Sequence, residues 1–302
     1  METATVVPLK LRANDIVRHI INVDSRFRDL PVSTSSSDFH FSLLSPVKNV
    51  LRVRVTSIEF PNNYYIFTAR RRNVSFEVLY DKMDPKRLVV TVPDGNYTAC
   101  EMTDAITAAL AAASASWLTV TFDETTGTFL FAGSQYFALN MTYDSHDRPF
   151  DYGLGYYLGF TRRLHVGAKV SSSPTKYEVA SDTCANFGGD NYVFLRVNDF
   201  NCVRQTVRVT NAEGAVVETN NDFTALAKVV LREPKNYMAF DDYASQHAKE
   251  VVFPAPTDLA RLRVQVLDPY GVPLELCSAQ ISFSLEVLEV RNLSLYNLIR
   301  DS

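Results

Sequence analysis

Hydrophobic and polar positions along this chain alternate mostly with a period of two, the mark of strands with one buried face. The clearest run is Asn49 to Phe60. Leu51, Val53 and Val55 alternate with Arg52, Arg54 and Thr56, and then Ile58 and Phe60 take the opposite phase. A bulge or bend near Thr56-Ser57 would return both sets to one core. Near the end, Leu262, Val264 and Val266 alternate with Arg261, Arg263 and Gln265. Ile281, Phe283, Leu285 and Val287 then alternate with Ser282, Ser284 and Glu286. With the turn Asp268-Pro-Tyr-Gly271 nearby, these two runs read as an antiparallel pair with one wet face.

Other strands are predicted over 18–23, 75–79, 87–92, 192–197, 203–209 and 225–231. Leu118 to Phe131 reads as a hairpin turning at 123–127, and Phe137, Leu139 and Met141 as one more strand. One helix stands out. Thr98-Ala-Cys-Glu101 is a capping box, and Met102, Ile106, Leu110 and Ala113 repeat at three and four to form one packed stripe. Gly153 to Phe160 is a glycine-punctuated aromatic stretch. It lacks the Lys-Ser/Thr of a phosphate loop and reads as a tight loop packing rings onto a sheet. Residues 170–189 read as a Ser-, Pro- and Gly-rich connector, 211–221 as a polar surface excursion, and 237–249 as polar and aromatic without a period.

This order predicts a mainly β chain: a jelly-roll β-sandwich with a small α+β insertion. The expected layout is an N-terminal arm over 1–18 and a sandwich from 19–90 plus 180–291. An insertion over 91–179 holds one helix and a β-hairpin, and a C-terminal tail covers 292–302. Two successive β-domains are the alternative.

Composition narrows the function. Of 302 residues 21% are charged and the net charge is −4, so no strong basic field grips nucleic acid. Arg70-Arg71-Arg72 and Arg162-Arg163 are local basic spots that read as solvated loop tips or contacts to an acidic subunit. The cysteines at 100, 184, 202 and 277 have no metal-like spacing and read as small buried hydrophobes of a reduced compartment. No run approaches the ~18 apolar residues of a membrane span. Asn73, Asn96, Asn140 and Asn292 open Asn-x-Ser/Thr triplets of the kind that chance supplies.

Catalytic patterns are scarce. Asp144-Ser145-His146-Asp147 puts catalytic residue types side by side, but adjacency is not triad geometry. Asp241-Asp242 has too few oxygens for calcium. No cofactor or metal is expected. Trp117 and the many Tyr and Phe invite a glycan-binding reading, though their strand positions point to core packing. Tyr64-Tyr65 and Tyr156-Tyr157 are exceptions, because adjacent rings in a loop cannot both face one core.

Several motifs together resemble one family. They are Asp24-Ser25-Arg26-Phe27-Arg28-Asp29, Ser37-Asp38-Phe39, Pro46-Val47-Lys48-Asn49-Val50 and Glu59-Phe60-Pro61-Asn62. Pro93-Asp94-Gly95-Asn96-Tyr97-Thr98, Leu158-Gly159-Phe160, Tyr192-Val193-Phe194-Leu195 and Leu267-Asp268-Pro269-Tyr270-Gly271 follow. In this order, across most of the chain, they resemble the minor capsid and penton-type structural proteins of large icosahedral double-stranded DNA viruses, such as the algal chloroviruses. The resemblance implies a non-enzymatic capsid component of the virion, assembled in the host cytoplasm. It would join major capsid capsomers, with the major capsid protein and other minor capsid proteins as partners. A homo-pentameric penton at the five-fold vertices is the alternative, and a glycan-binding β-sandwich the alternative of another class. Candidate partner contacts are Tyr64, Tyr65, Arg70, Arg71, Arg72, Tyr156, Tyr157, Leu295, Leu298 and Ile299, with the arm and the tail as anchors.

Overall fold

The computed structural model describes residues 15–300, apart from 32–33, 147, 149, 151–152, 162, 174, 199, 201–202, 211–215, 232–237 and 242–249. Most of the expected arm and of the 237–249 stretch, the tip of the 211–221 excursion, and Arg162, Cys202, Asp147 and Asp242 therefore lie outside the described residues. Strands β1 (Ile16–Asp24), β2 (Asp38–Pro61), β3 (Ser75–Tyr80), β4 (Lys86–Thr91), β5 (Leu118–Asp123), β6 (Thr128–Gly133), β7 (Phe137–Asn140), β8 (Leu164–Val166) and β9 (Ala168–Lys169) come first. They are followed by β10 (Tyr177–Ala180), β11 (Tyr192–Val197), β12 (Val203–Thr210), β13 (Val216–Ala225), β14 (Ala227–Val230), β15 (Met238–Asp241), β16 (Glu250–Leu267) and β17 (Ser282–Val290). The helices are α1 (Ala99–Ala112), α2 (Leu154–Tyr157) and α3 (Leu293–Arg300).

The chain divides into two units. One holds 1–64, 190–206 and 222–302; the other holds 65–189 and 207–221. The first unit is one antiparallel sheet in the order β1-β17-β2-β16-β11-β14, with β15 also paired to β2. Two very long strands, β2 of 24 residues and β16 of 18, carry irregular registers that let the sheet curl round its own core. This is the mainly β, jelly-roll-type sandwich expected from the pattern. Val53, Val55, Ile58, Phe60, Leu262, Val264, Ile281, Phe283, Leu285 and Val287 are all buried in that core. Each full burial of such a side chain contributes about 1.5–3 kcal/mol.

The phase slip in β2 is a bulge. Against β17, Ser57 faces Ser284 and Val55 faces Leu285, which leaves Thr56 without an opposite residue. A second bulge skips Leu51: Arg52 faces Leu288 while Val50 faces Glu289. Val50 is consequently buried and Leu51 only half-buried, which corrects the expected Leu51-Val53-Val55 face. β2 runs unbroken through Pro46.

The expected pairing of the last two alternating runs is also corrected. β16 and β17 do not pair; both flank β2. Their matching patterns arise because each lines the same core from one side of a shared neighbour.

The second unit begins earlier than the expected insertion. β3 pairs with β4 and with β7, giving the sheet β4-β3-β7-β8, so 65–90 belong with the insertion and not with the sandwich. A second sheet, β5-β6-β10-β9, includes β10, which occupies part of the expected 170–189 connector. The capping box is complete: Thr98 accepts from the Glu101 amide, and the Glu101 carboxylate accepts from the Thr98 amide at 2.8 Å. Met102, Ile106 and Leu110 then bury the predicted stripe among Phe76, Phe129 and Phe131. β12 and β13 form a separate two-stranded ribbon.

Candidate contact surfaces

The motif Asp24 to Asp29 forms a tied turn in the first unit. Asp24 is buried at the end of β1 and holds the Arg26 guanidinium through both carboxylate oxygens. The Arg26 side chain beside it keeps the Asp24 carboxyl below the usual carboxylate range. Ser25 is fully buried: its hydroxyl donates to Gln280 Oε1 at 2.8 Å and accepts from the Ile281 amide. Arg28 donates to the Ser25, Pro31 and Thr34 carbonyls and to Gln280 Oε1. Asp29 accepts from the Ser42 amide and hydroxyl and pairs with Arg261, and the Ser42 hydrogen bond lowers its carboxyl pKa.

The sequence names these residues but not what they hold up. Phe27 and Leu30 stand 74% and 71% exposed on the turn, two apolar side chains that a rigid loop presents to solvent. Beside them, Asp24, Arg26, Glu59, Gln280 and Ser282 line an open hollow of about 300 Å³.

The outer face of the same sheet holds a charge cluster that the alternating pattern does not reveal. Glu286, expected to be wet, is buried under Arg18, Arg52 and Arg54 at 3.3, 3.2 and 3.6 Å. β1 and β2 flank β17, so three arginines from two strands converge on one carboxylate.

At the edge of this sheet the two ends of the described chain lie together. Ile16 faces Val290, and the Arg291 amide donates to the Asp15 carbonyl at 2.9 Å. Asn292 caps α3 by accepting from the Leu295 amide. On that helix Leu295 and Ile299 are half-buried, while Leu293 and Leu298 are exposed. β1 is an edge strand whose Ile20 is 61% exposed.

The aromatic pairs divide as adjacency demands. Tyr64 is buried in the first unit, its ring edge-on to Phe60, and Tyr157 is buried in the second against Phe67. Neither has a surface to offer, so the expected contacts shrink to Tyr65 and Tyr156, both exposed. Tyr156 stacks edge-on with exposed Phe150 at 6.0 Å. Arg70 and Arg72 are exposed and Arg71 is half-buried on a tied turn. Thr68 accepts from the Arg71 amide, Asn73 from the Thr68 amide, and Asp94 from the Ala69 amide. Asn73 is itself buried and donates to the Ile66 carbonyl, so its triplet is no glycan acceptor in the folded chain.

The described cysteines overturn the buried reading. Cys100, Cys184 and Cys277 are exposed thiols. Glu124 beside Cys100 pushes that thiol's pKa up, so it holds its proton. Ser145 spends its hydroxyl on the Thr142 carbonyl and is not aimed at a base. His165 is buried 3.7 Å from Asp182, yet the neighbouring Thr161 hydroxyl donates to that same carboxylate at 2.7 Å, which ties a loop and presents no nucleophile. Among the described residues no group of three His, Cys, Asp or Glu could hold a metal ion, and no helix is long and apolar enough to cross a membrane.

No family model and no curated protein matches the chain. Among solved structures it is similar to the mavirus penton protein, over 91% of this chain and 99% of that one, at 9% identity and a TM-score of 0.46.

Proposed function

We propose that this chain is a non-enzymatic structural component of an icosahedral viral capsid. In this reading it is a minor capsid protein of the virion that joins or stabilises capsomers of the major capsid protein. The motif resemblance supplies the class. The observation that carries the mechanism is the pairing of Ile16 with Val290, which places the start of the edge strand β1 beside the point where the chain enters α3. Such an edge offers neighbours two handles: main-chain groups of β1 for strand addition, and the apolar side of α3. The tied turn adds Phe27 and Leu30 as rigid apolar contacts, which lose little entropy when a partner covers them. Many modest contacts of this kind act together in a closed symmetric shell.

The second reading is a penton that self-associates about the five-fold axis. The extent of the unit built from 65–189 favours it, because that unit has its own core and two sheets. The test is incorporation into particles assembled in infected cytoplasm. Leu293→Ser with Leu298→Ser alters two exposed side chains and should leave the melting temperature within a degree or two. Incorporation should fall several-fold. Full incorporation would remove α3 from the account.

A further inference from the structure

We infer that the hollow beside Trp117 in the second unit is a binding subsite for a neutral pyranose sugar. Trp117 reads from the sequence as a core residue, but the structure leaves it only half-buried, at one end of β5. Tyr80 packs on one side of it at 5.5 Å and Phe137 at 6.3 Å. Gly133 makes room for the ring: a Cβ there would meet Trp117 at 3.2 Å and Phe137 at 3.0 Å. Tyr136 and Tyr177, edge-on to each other at 6.0 Å, are also half-buried at this end of the sheet. Tyr177 lies directly opposite Gly133. Four large rings, Tyr80, Trp117, Tyr136 and Tyr177, are thus held half-buried near one surface, with Trp117 and Tyr177 also resting on the core beneath.

The hollow has a volume of about 340 Å³ and is bordered by Trp117, Thr119, Ser134, Ser173, Thr175 and Lys176. That is within the range of small-molecule sites. Thr119 donates to the Ala132 carbonyl at 3.0 Å, which leaves its oxygen free to accept. The Ser134, Ser173 and Thr175 hydroxyls have no hydrogen-bond partner among the described residues. Each hydroxyl can donate and accept, as the hydroxyls of a sugar require. The one cation, Lys176, is held by Glu178 at 2.6 Å, so the site carries no spare positive charge for a phosphate or an acidic sugar. An indole face beside neutral hydroxyls suits a pyranose, whose ring has an apolar C–H face and a polar rim.

Trp117 is the one tryptophan of the chain, so its emission reports on this hollow directly. The full chain would be titrated with the methyl glycosides of glucose, galactose, mannose and N-acetylglucosamine to about 50 mM, and in parallel with adenosine. The expected result is a saturable emission change with at least one glycoside at a Kd of about 1–10 mM, the order expected of a monosaccharide-sized ligand. Ser134→Ala and Thr175→Ala change exposed side chains and should each weaken it about five-fold without altering the melting curve. Trp117→Phe, followed by saturation-transfer NMR, should also weaken binding. Unchanged emission with all four glycosides, a response indifferent to Ser134→Ala and Thr175→Ala, or a response to adenosine alone would each overturn the proposal.

Discussion

Arg28 Nη1 donates to Gln280 Oε1 at 3.1 Å, across 252 positions of sequence, and the same oxygen accepts from the buried Ser25 hydroxyl. One guanidinium thereby ties the turn after β1 to the start of β17. Arg28→Ala removes its bond to Gln280 together with those to the Ser25, Pro31 and Thr34 carbonyls, and leaves the Ser25–Gln280 bond. At about 1 kcal/mol for a typical bond, and with most of them near solvent, the expected loss is about 2–3 kcal/mol. Chemical denaturation should read that loss, and proteolysis should begin to cut within 26–34. Arg28→Lys should recover less than half, because an ammonium cannot span the same acceptors.

The bulge at Thr56 sets the phase of half a core. Deleting Thr56 removes only the bulge: Val55, Ser57 and Ile58 then face Leu285, Ser284 and Phe283 in continuous register, Ile58 and Phe60 stay in the core, and the first unit should still fold. Thr56→Ala keeps the count and loses only a hydroxyl bond to the Ser284 carbonyl, so it should cost under about 1 kcal/mol. Circular dichroism and melting of the two variants check these outcomes. An unfolded deletion variant would contradict the register.

Glycine 159 is required by backbone geometry. Its φ is +88°, and a Cβ there would lie 2.2 Å from the Thr183 carbonyl oxygen. Gly159→Ala should cost more than about 2 kcal/mol in the second unit. Gly188→Ala, where a Cβ meets only the Asn186 side chain, should stay within about 0.5 kcal/mol. Equal melting temperatures for the two would remove the constraint.

Acid should loosen the turn after β1. The folded pKa of Asp24 is depressed, first by its side-chain hydrogen bond to Arg26, and that of Asp29 by Ser42. A depressed carboxyl contributes its stability above the unfolded pKa of about 4 and loses it as pH falls through the folded value. Urea midpoints should therefore drop from about pH 5 downward, and Asp24→Asn should drop less steeply while being less stable at neutral pH. An identical slope in both proteins would show that Asp24 does not carry the linkage.

Local signals were legible in the sequence. The Thr98-Glu101 box needs only four residues, and the slip at Thr56-Ser57 breaks a period of two in plain view. Leu51 was misread because Leu51, Val53 and Val55 already alternate; only the partner strand shows that Leu51 is skipped. Pairing was illegible for a like reason. β16 and β17 carry the same one-sided pattern, and nothing in either says that β2 lies between them. The boundary near residue 65 was missed because β3 finds its second partner, β7, some sixty residues later. At the contact surfaces, adjacency foretold that each tyrosine pair would split. Phe27, Leu30 and the arginines over Glu286 emerge only once distant strands are brought together.

The central claim is a structural place in a capsid, and the copy number of this chain per purified particle tests it most directly. Quantitative mass spectrometry against the major capsid protein should find several hundred copies for a protein that links capsomers. About sixty, five at each of twelve vertices, would select the penton reading. A chain absent from purified particles would contradict the account.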